Sequence, residues 1–459
     1  MEAKSFELFS VTRKEPELIV PARPTPREVK QLSDIDDQES LRVNVPVISF
    51  YRNNPSPLMK GKDPVKVIRE ALSKALVFYY PVAGRLLEGP NRKLMVDCNG
   101  EGVLFVEADA NFKLEQLGDS IRPPFPYEEE VMYGIPGFTE IIGRPLLFIQ
   151  VTRLTCGGFI LALLFNHTIF DAPGFLQFSK TLMEFAGGAD SPSLMPVWQR
   201  EVLSARDPPQ VTCIHHEYEK INESKDDQLA KAKPVEPIKS FYFGPKEINS
   251  IRNHVAPHLQ NASKFELVTA CVWRCRTIAL ELDPDQIVRL SSVVNVRGKH
   301  YNILPLGYYG NAFAYPAVCT KVDDLCKNPL GYAVELVKKA KAKMSEEYMK
   351  SVADYMVIME RPMFTIEGNF FVSNISTVLA FEELDFGWGG PVYAGPAGAL
   401  PLLSFQLKYK NKDGEDGILV LLCMSHASME RFEKELNEIT QGSVEDLCKI
   451  KHTEILSKL

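Results

Sequence analysis

The chain has 459 residues, 45% of them hydrophobic, and a formal net charge of −7. That length exceeds one ordinary core and predicts two domains. The modest negative balance, without any basic block, argues against nucleic acid or an anionic membrane surface as a partner. No stretch has the length of an uncharged transmembrane helix, and Glu2 within the opening residues argues against a secretory signal. The nine cysteines are scattered without CxxC pairs, which fits free thiols in a reducing compartment and gives no zinc spacing. No metal site is therefore expected, and the adjacent His215-His216 reads as a surface pair.

In chain order, residues 5–53 open with short extended segments. Leu41 to Tyr51 reads as a strand, and Pro46 within it predicts an edge position. Asp63 to Phe78 has the spacing of an amphipathic helix. Leu94 to Asp97 and Gly102 to Val106 flank Asn99-Gly100, a hairpin signal. Gly100-Glu101-Gly102 is no dinucleotide fingerprint, because no helix opens after it. Leu146 to Arg153 is a further strand.

The next stretch carries the chemistry. Phe159 to Phe165 is an uncharged apolar run, as a strand buried on both faces requires. Asn166-His167-Thr168-Ile169-Phe170-Asp171 follows, and then a helix from Gly174 to Glu184 with Phe175, Phe178 and Leu182 at helical spacing. His167 and Asp171 thus lie where a buried strand ends and a helix begins, a rigid rim suited to catalytic groups. Each has a plainer reading. A lone His here can be a hydrogen-bonded core residue, and Asp171 before Ala172-Pro173 can be a helix N-cap.

From 187 to 235, glycine, proline and then charge predominate, as in a surface crossover between domains. The boundaries expected are 1–190, a linker at 191–235, and 236–459. Beyond it, Phe241 to Phe243 and Val293 to Arg297 read as strands. Lys246 to Asn253, Ser263 to Ala279, Pro329 to Met349 and Met429 to Ile439 read as helices. Ser404 to Lys410 and Gly417 to Met424 form a hairpin around Asp413-Gly414. This mixture predicts an α/β class with large mixed sheets.

Two motifs point to a family. His167-Thr168-Ile169-Phe170-Asp171 fits H-x-x-x-D, and Asp385-Phe386-Gly387-Trp388-Gly389 fits D-F-G-W-G in the expected order and separation. With Tyr80 to Leu86 and Gly307 to Phe313, the chain resembles the plant BAHD acyltransferases over essentially its whole length. Leu32 to Gln38, Arg92 to Gly102 and Asp207-Pro208-Pro209 resemble the ester-forming alcohol acyltransferases within that family. Ile375 stands where the family usually has Trp, a departure that fits this branch.

The resemblance implies two similar-sized domains like those of chloramphenicol acetyltransferase, with the catalytic His in a channel between them. It implies acyl-CoA as co-substrate, a small alcohol as acceptor and no permanently bound cofactor. His167 would be the general base, since a neutral imidazole can take the proton of an attacking hydroxyl. Asn311 would orient His167 or stabilise the oxyanion, with a plain turn residue as the other reading. Asp171 would be structural, paired with Arg297, for which Asp385 is a rival. Asp385, Gly387 and Trp388 would be structural and remote from the chemistry. By comparison with relatives acting on phenols, Val45, Val47 and Ser49 would share one strand face and line an apolar acceptor pocket, with plain core packing as the other reading. No G-x-S-x-G elbow of a serine hydrolase is present, and a decayed ligand-binding relative would be expected to have lost His167.

The chain closes on Ser457-Lys458-Leu459, the tripeptide read as a peroxisomal address. It predicts an import receptor as partner and the peroxisome as location, with the cytoplasm as the alternative. In plants that organelle releases benzoyl-CoA. The expected reaction is therefore benzoyl transfer to benzyl alcohol, ahead of acetyl transfer to small aliphatic alcohols or acylation of an alkaloid alcohol. A monomer is expected, because the two halves can complete the channel within one chain.

Overall fold

The computed structural model describes residues 9–118, 121–125, 128–134, 140–219, 237–298, 304–376, 383–398 and 402–441. Two mixed sheets organise them. The first runs in the order Val11–Arg13, Val103–Ala110, Leu147–Arg153, Phe159–Asn166, Asn44–Tyr51, Tyr393–Pro396, with Glu17–Ile19 also paired to Val103–Ala110. The second runs Ile238–Phe243, Asp416–Cys423, Leu403–Lys410, Asn369–Asn374, Ile287–Ser292, Ala317–Lys321. Each mixes parallel and antiparallel neighbours, as the α/β class requires.

The uncharged run becomes the strand Phe159–Asn166, buried at every residue, because it lies between Leu147–Arg153 and Asn44–Tyr51. The helices Pro64–Phe78 and Ala172–Ala186 pack together beside this sheet. Asp63 caps the first by accepting from the Val65 N–H, and Asp171 caps the second. In the second half, Lys264–Ala279 packs against Leu330–Ala342 and His426–Gln441, with Trp273 buried among them. Ser263 and Glu266 form its capping box.

Four expectations are corrected. The Asn44–Tyr51 strand is internal, although it contains Pro46. The His167 N–H donates to Val43 O, so alternation turns the backbone of Pro46 away from the His167 strand and toward Tyr393–Pro396. There the ladder is ending, and Pro46 is asked only to accept, from Ala397 N. Leu94–Asp97 and Val103–Ala110 do not pair across Asn99-Gly100. The turn forms, but Gly100 and Gly102 both take positive φ, 71° and 94°. Gly102 passes so close to Ile19 O that a Cβ would lie 2.4 Å from it. The chain leaves for the large sheet, while Leu94–Asp97 joins a three-stranded sheet with Arg85–Glu88 and Val29–Gln31. The helix predicted over 329–349 is two, Leu330–Ala342 and Glu346–Ile358, because Ser345 starts a new one by accepting from Tyr348 N. Finally, His215 is no surface residue. It is buried between Glu217 Oε1 at 3.1 Å and Ser351 Oγ at 2.9 Å.

The segment around D-F-G-W-G, distant in sequence, joins the first sheet through Tyr393–Pro396 and the first core through Leu384, Phe386 and Trp388. The charged run that ends at Lys233 and the closing Ser457-Lys458-Leu459 lie outside the described residues.

Candidate active site

The strand Phe159–Asn166 delivers His167 to its end, and the turn after it is held at each step. Asn166 Oδ1 accepts from Thr168 N at 3.1 Å and Thr168 Oγ1 at 2.6 Å. His167 O accepts from Asn311 Nδ2 at 2.7 Å, and Ile169 O accepts from Arg200 Nη2 at 2.9 Å. The His167 ring lies between Phe165 and Phe313, with centroids at 6.1 and 5.9 Å. Its Nδ1 is buried without a hydrogen-bond partner among the described residues. Burial holds the imidazole below the ordinary histidine value, against the upward pull of the His167 and Phe170 carbonyls, Asp171 and Asn311. The ring is thereby kept neutral and able to accept a proton.

Asp171 turns away from the imidazole. Oδ1 accepts from Gly174 N at 2.9 Å as the helix cap. Oδ2 is ion-paired with Arg297 Nη1 and also accepts from Ala312 N at 3.1 Å and Asn295 Nδ2 at 3.3 Å. Arg297 continues to Gly310 O at 2.5 Å. The rival Asp385 is exposed and accepts from Gly387 N at 2.6 Å. Gly174 itself must be glycine, since a Cβ would stand 2.0 Å from Tyr309 O.

Sequence reasoning missed the support beneath Asn311. Asp36 Oδ1 accepts from Asn311 N and Nδ2, both at 2.9 Å, and from Arg200 Nη1 at 2.7 Å. Asp36 and Arg200 are fully buried. Arg200 also stacks over Trp198 and Tyr309 at 4.4 and 4.9 Å. The three clustered acids of Leu32 to Gln38 were the available signal, but nothing in a single sequence shows that Asp36 is buried.

The remaining predicted residues lie along the sheet. Val45 pairs with Phe165, Val47 with Leu163 and Ser49 with Leu161, on the face that leads to His167. Val45 is partly exposed, while Val47 and Ser49 are buried. At ~3.3 Å per residue, those two stand about 7 and 13 Å beyond Val45. Trp388 packs edge-on to Phe159 at 5.5 Å, and Tyr51 Oη donates to Leu384 O at 2.9 Å. Phe159 and His167 are at opposite ends of one strand, about 26 Å apart at the same rise, so D-F-G-W-G braces the far end.

Residues 9–439 match the model of the Transferase family. The chain belongs to the BAHD acyltransferases. The acyltransferase is 57% identical to alcohol acyl transferase 1 allele GSd of Malus domestica, over 98% of this chain and 99% of that one. It is 55% identical to the benzyl alcohol O-benzoyltransferase of Petunia hybrida, over 97% of each. These relatives make it an acyl-CoA-dependent alcohol acyltransferase. Its fold is that of vinorine synthase, with a TM-score of 0.69 at 22% identity over 94% of this chain and 98% of that one. It is equally that of F. graminearum TRI101 complexed with coenzyme A and deoxynivalenol, with a TM-score of 0.69 at 15% identity over 89% and 97%.

A pH dependence follows from the His167 environment. The neutral ring is the active form, and its folded pKa is lowered. Activity should therefore hold at neutrality and fall only below the ordinary value of ~6.5. The same group costs stability on acidification. Below ~6.5 the unfolded chain takes a proton that the folded ring refuses, so stability falls as pH drops toward the folded value. A kcat/KM profile with its acid midpoint at or above 6.5 would contradict this assignment.

Proposed function

We propose that the enzyme transfers a benzoyl group from benzoyl-CoA to benzyl alcohol, giving benzyl benzoate and free coenzyme A, with His167 as general base. The observation that carries this reading is a neutral imidazole, fixed at a strand end between two phenyl rings. Nε2 is the nitrogen offered to substrate, since Nδ1 is buried. The hydroxyl proton passes to Nε2 as the C–O bond forms. The tetrahedral adduct then expels the thiolate, which recovers that proton. Asn311 holds the His167 carbonyl and so fixes the ring's origin, and Asp171 with Arg297 holds the helix start.

The preference for aromatic substrates rests on the rings that flank His167, Phe165 and Phe313, the second of which belongs to a buried aromatic cluster. Phe313 continues into Tyr315, Phe371 and Phe364 at centroid distances of 5.3, 5.4 and 4.3 Å along the series. Val45, the partly exposed member of its strand face, gives the acceptor side an apolar wall, with Val47 and Ser49 beneath. The apple relatives favour a second reading, acyl transfer to small aliphatic alcohols, and their identity is too close to the petunia enzyme's to separate the two.

A matrix of acetyl-CoA and benzoyl-CoA against benzyl alcohol, hexanol and shikimate tests the choice. The highest kcat/KM is expected for the benzoyl–benzyl pair. Acetyl transfer to hexanol as the best pair would favour the second reading, and turnover of shikimate without benzyl alcohol would remove the apolar acceptor pocket. Ser457-Lys458-Leu459 would bring the enzyme to the peroxisome through its import receptor. An amino-terminal fluorescent fusion should be punctate and become diffuse on deletion of Leu459; a diffuse intact fusion would leave the cytoplasm as the site.

A further inference from the structure

His216, Glu219 and Cys319 lie apart from the chemistry described above. The first two belong to the crossover segment, in and just after the short turn His216–Tyr218. The third is on Ala317–Lys321, the edge strand of the second sheet. Their donor atoms, an imidazole nitrogen, a carboxylate oxygen and a thiol sulfur, all lie within 4.8 Å of one another. We propose that these three side chains form a zinc site that clasps the crossover to the edge strand.

The surroundings are built for it. The backbone of the turn is fixed by Thr365, whose N donates to Glu217 O at 2.7 Å and whose Oγ1 donates to Glu219 O at 2.6 Å. Glu219 divides its oxygens. Oε1 meets His216 Nδ1 at 2.6 Å, and Oε2 is held by Arg289 Nη2 at 3.0 Å. A carboxylate that binds a metal through one oxygen and a guanidinium through the other is oriented as ligands usually are by their outer partners. Cys319 stands directly opposite Arg289 in the strand ladder. The Arg289 side chain is 7% exposed, and its Nε and Nη1 have no hydrogen-bond partner among the described residues. Beside Glu219, the ion-pair partner of Arg289, a thiolate at Cys319 would face the same guanidinium.

Zinc is favoured by the donor set. Bonds of about 2.0–2.3 Å in a tetrahedron place ligand atoms roughly 3.3–3.8 Å apart, so small side-chain rotations close the present spacing. Thiolate with imidazole selects zinc over magnesium or calcium. Thiolate and carboxylate together balance the two positive charges of the ion. His216 and Glu219 are partly exposed, 31% and 41% at their side chains, so water can fill the fourth position. Binding replaces the His216–Glu219 hydrogen bond and releases the thiol proton to solvent. Spacing along the chain does not announce the site, because Cys319 comes from a strand about a hundred residues beyond His216 and Glu219.

The full-length chain, stripped with a chelator, is titrated with zinc against a chromogenic competitor and separately with cobalt. One zinc per chain is expected, together with a thiolate-to-cobalt charge-transfer band in the near ultraviolet and a higher Tm with zinc. Cys319→Ser should remove the band. Glu219→Gln should weaken zinc by about tenfold or more, since losing a ligand costs at least as much as losing an outer partner. Benzyl ester formation should not change in either variant. No uptake at tenfold excess zinc, or equal uptake and an unchanged band in Cys319→Ser, would overturn the site. Circular dichroism of the variants without metal establishes that they fold.

Discussion

His167→Ala is expected to lower acyl transfer by about 10²–10⁴-fold, the range that general-base help supplies, with little change in Tm. The two halves of that expectation rest on different atoms. Chemistry needs the ring nitrogen, and a methyl cannot take a proton from the alcohol. Folding needs the backbone, whose N–H to Val43 O and whose carbonyl from Asn311 are kept in the variant. The ring itself anchors little, since Nδ1 has no hydrogen-bond partner among the described residues and its aromatic neighbours, Phe165 and Phe313, have their centroids at 6.1 and 5.9 Å. Retention of more than a few per cent of the rate, measured by release of free thiol at saturating alcohol, would remove His167 from the base role. A large fall in Tm would show that the ring is a packing element as well.

Much of this arrangement was legible in the chain, and the pattern of what was not is informative. The uncharged run 159–165 suits a central strand, because it is too short for a buried helix and glycines precede it. Asp171 before Ala172-Pro173 had to cap a helix, because proline sets the first turn. The Arg297 pairing is the expected one, and the structure gives it to Asp171 rather than to the rival Asp385. By contrast, the Asn99-Gly100 signal described the turn correctly and the pairing wrongly. A turn fixes local chain direction, whereas pairing depends on which strands stand near, and Gly102 passes onto Ile19. Pro46 predicts an edge because a missing N–H is costly inside a sheet. The cost vanishes when that side of the ladder only needs an acceptor. The links Asp36–Arg200 and Asp36–Asn311 span 164 and 275 residues. Burial alone makes those charges informative, and a single sequence does not show it.

Asp171→Ala should destabilise the protein by about 3 kcal/mol and lower activity along with Tm. Breaking a buried ion pair by removing one partner typically costs 3–5 kcal/mol. The lower end applies here because Arg297 is 22% exposed at its side chain and can recover some hydration, whereas Asp171 is only 2% exposed. The cap contributes to the same loss, since Gly174 N would lose its acceptor, an effect of ~1 kcal/mol by itself. Asn295 and Ala312 would also lose one. Asp171→Asn separates the two contributions. It keeps an oxygen for the Gly174 N–H but leaves Arg297 without a charge partner, so its Tm should fall between those of wild type and Asp171→Ala. Arg297→Ala strands the more deeply buried member and should cost at least as much as Asp171→Ala. Urea unfolding of the three variants measures these differences. The assay that matters is run well below each midpoint, where every variant is folded. If Asp171 acts only by holding the helix start, kcat there should follow Tm down the series. A fully stable Asp171→Asn enzyme that has lost turnover would instead make the carboxylate a direct participant beside His167.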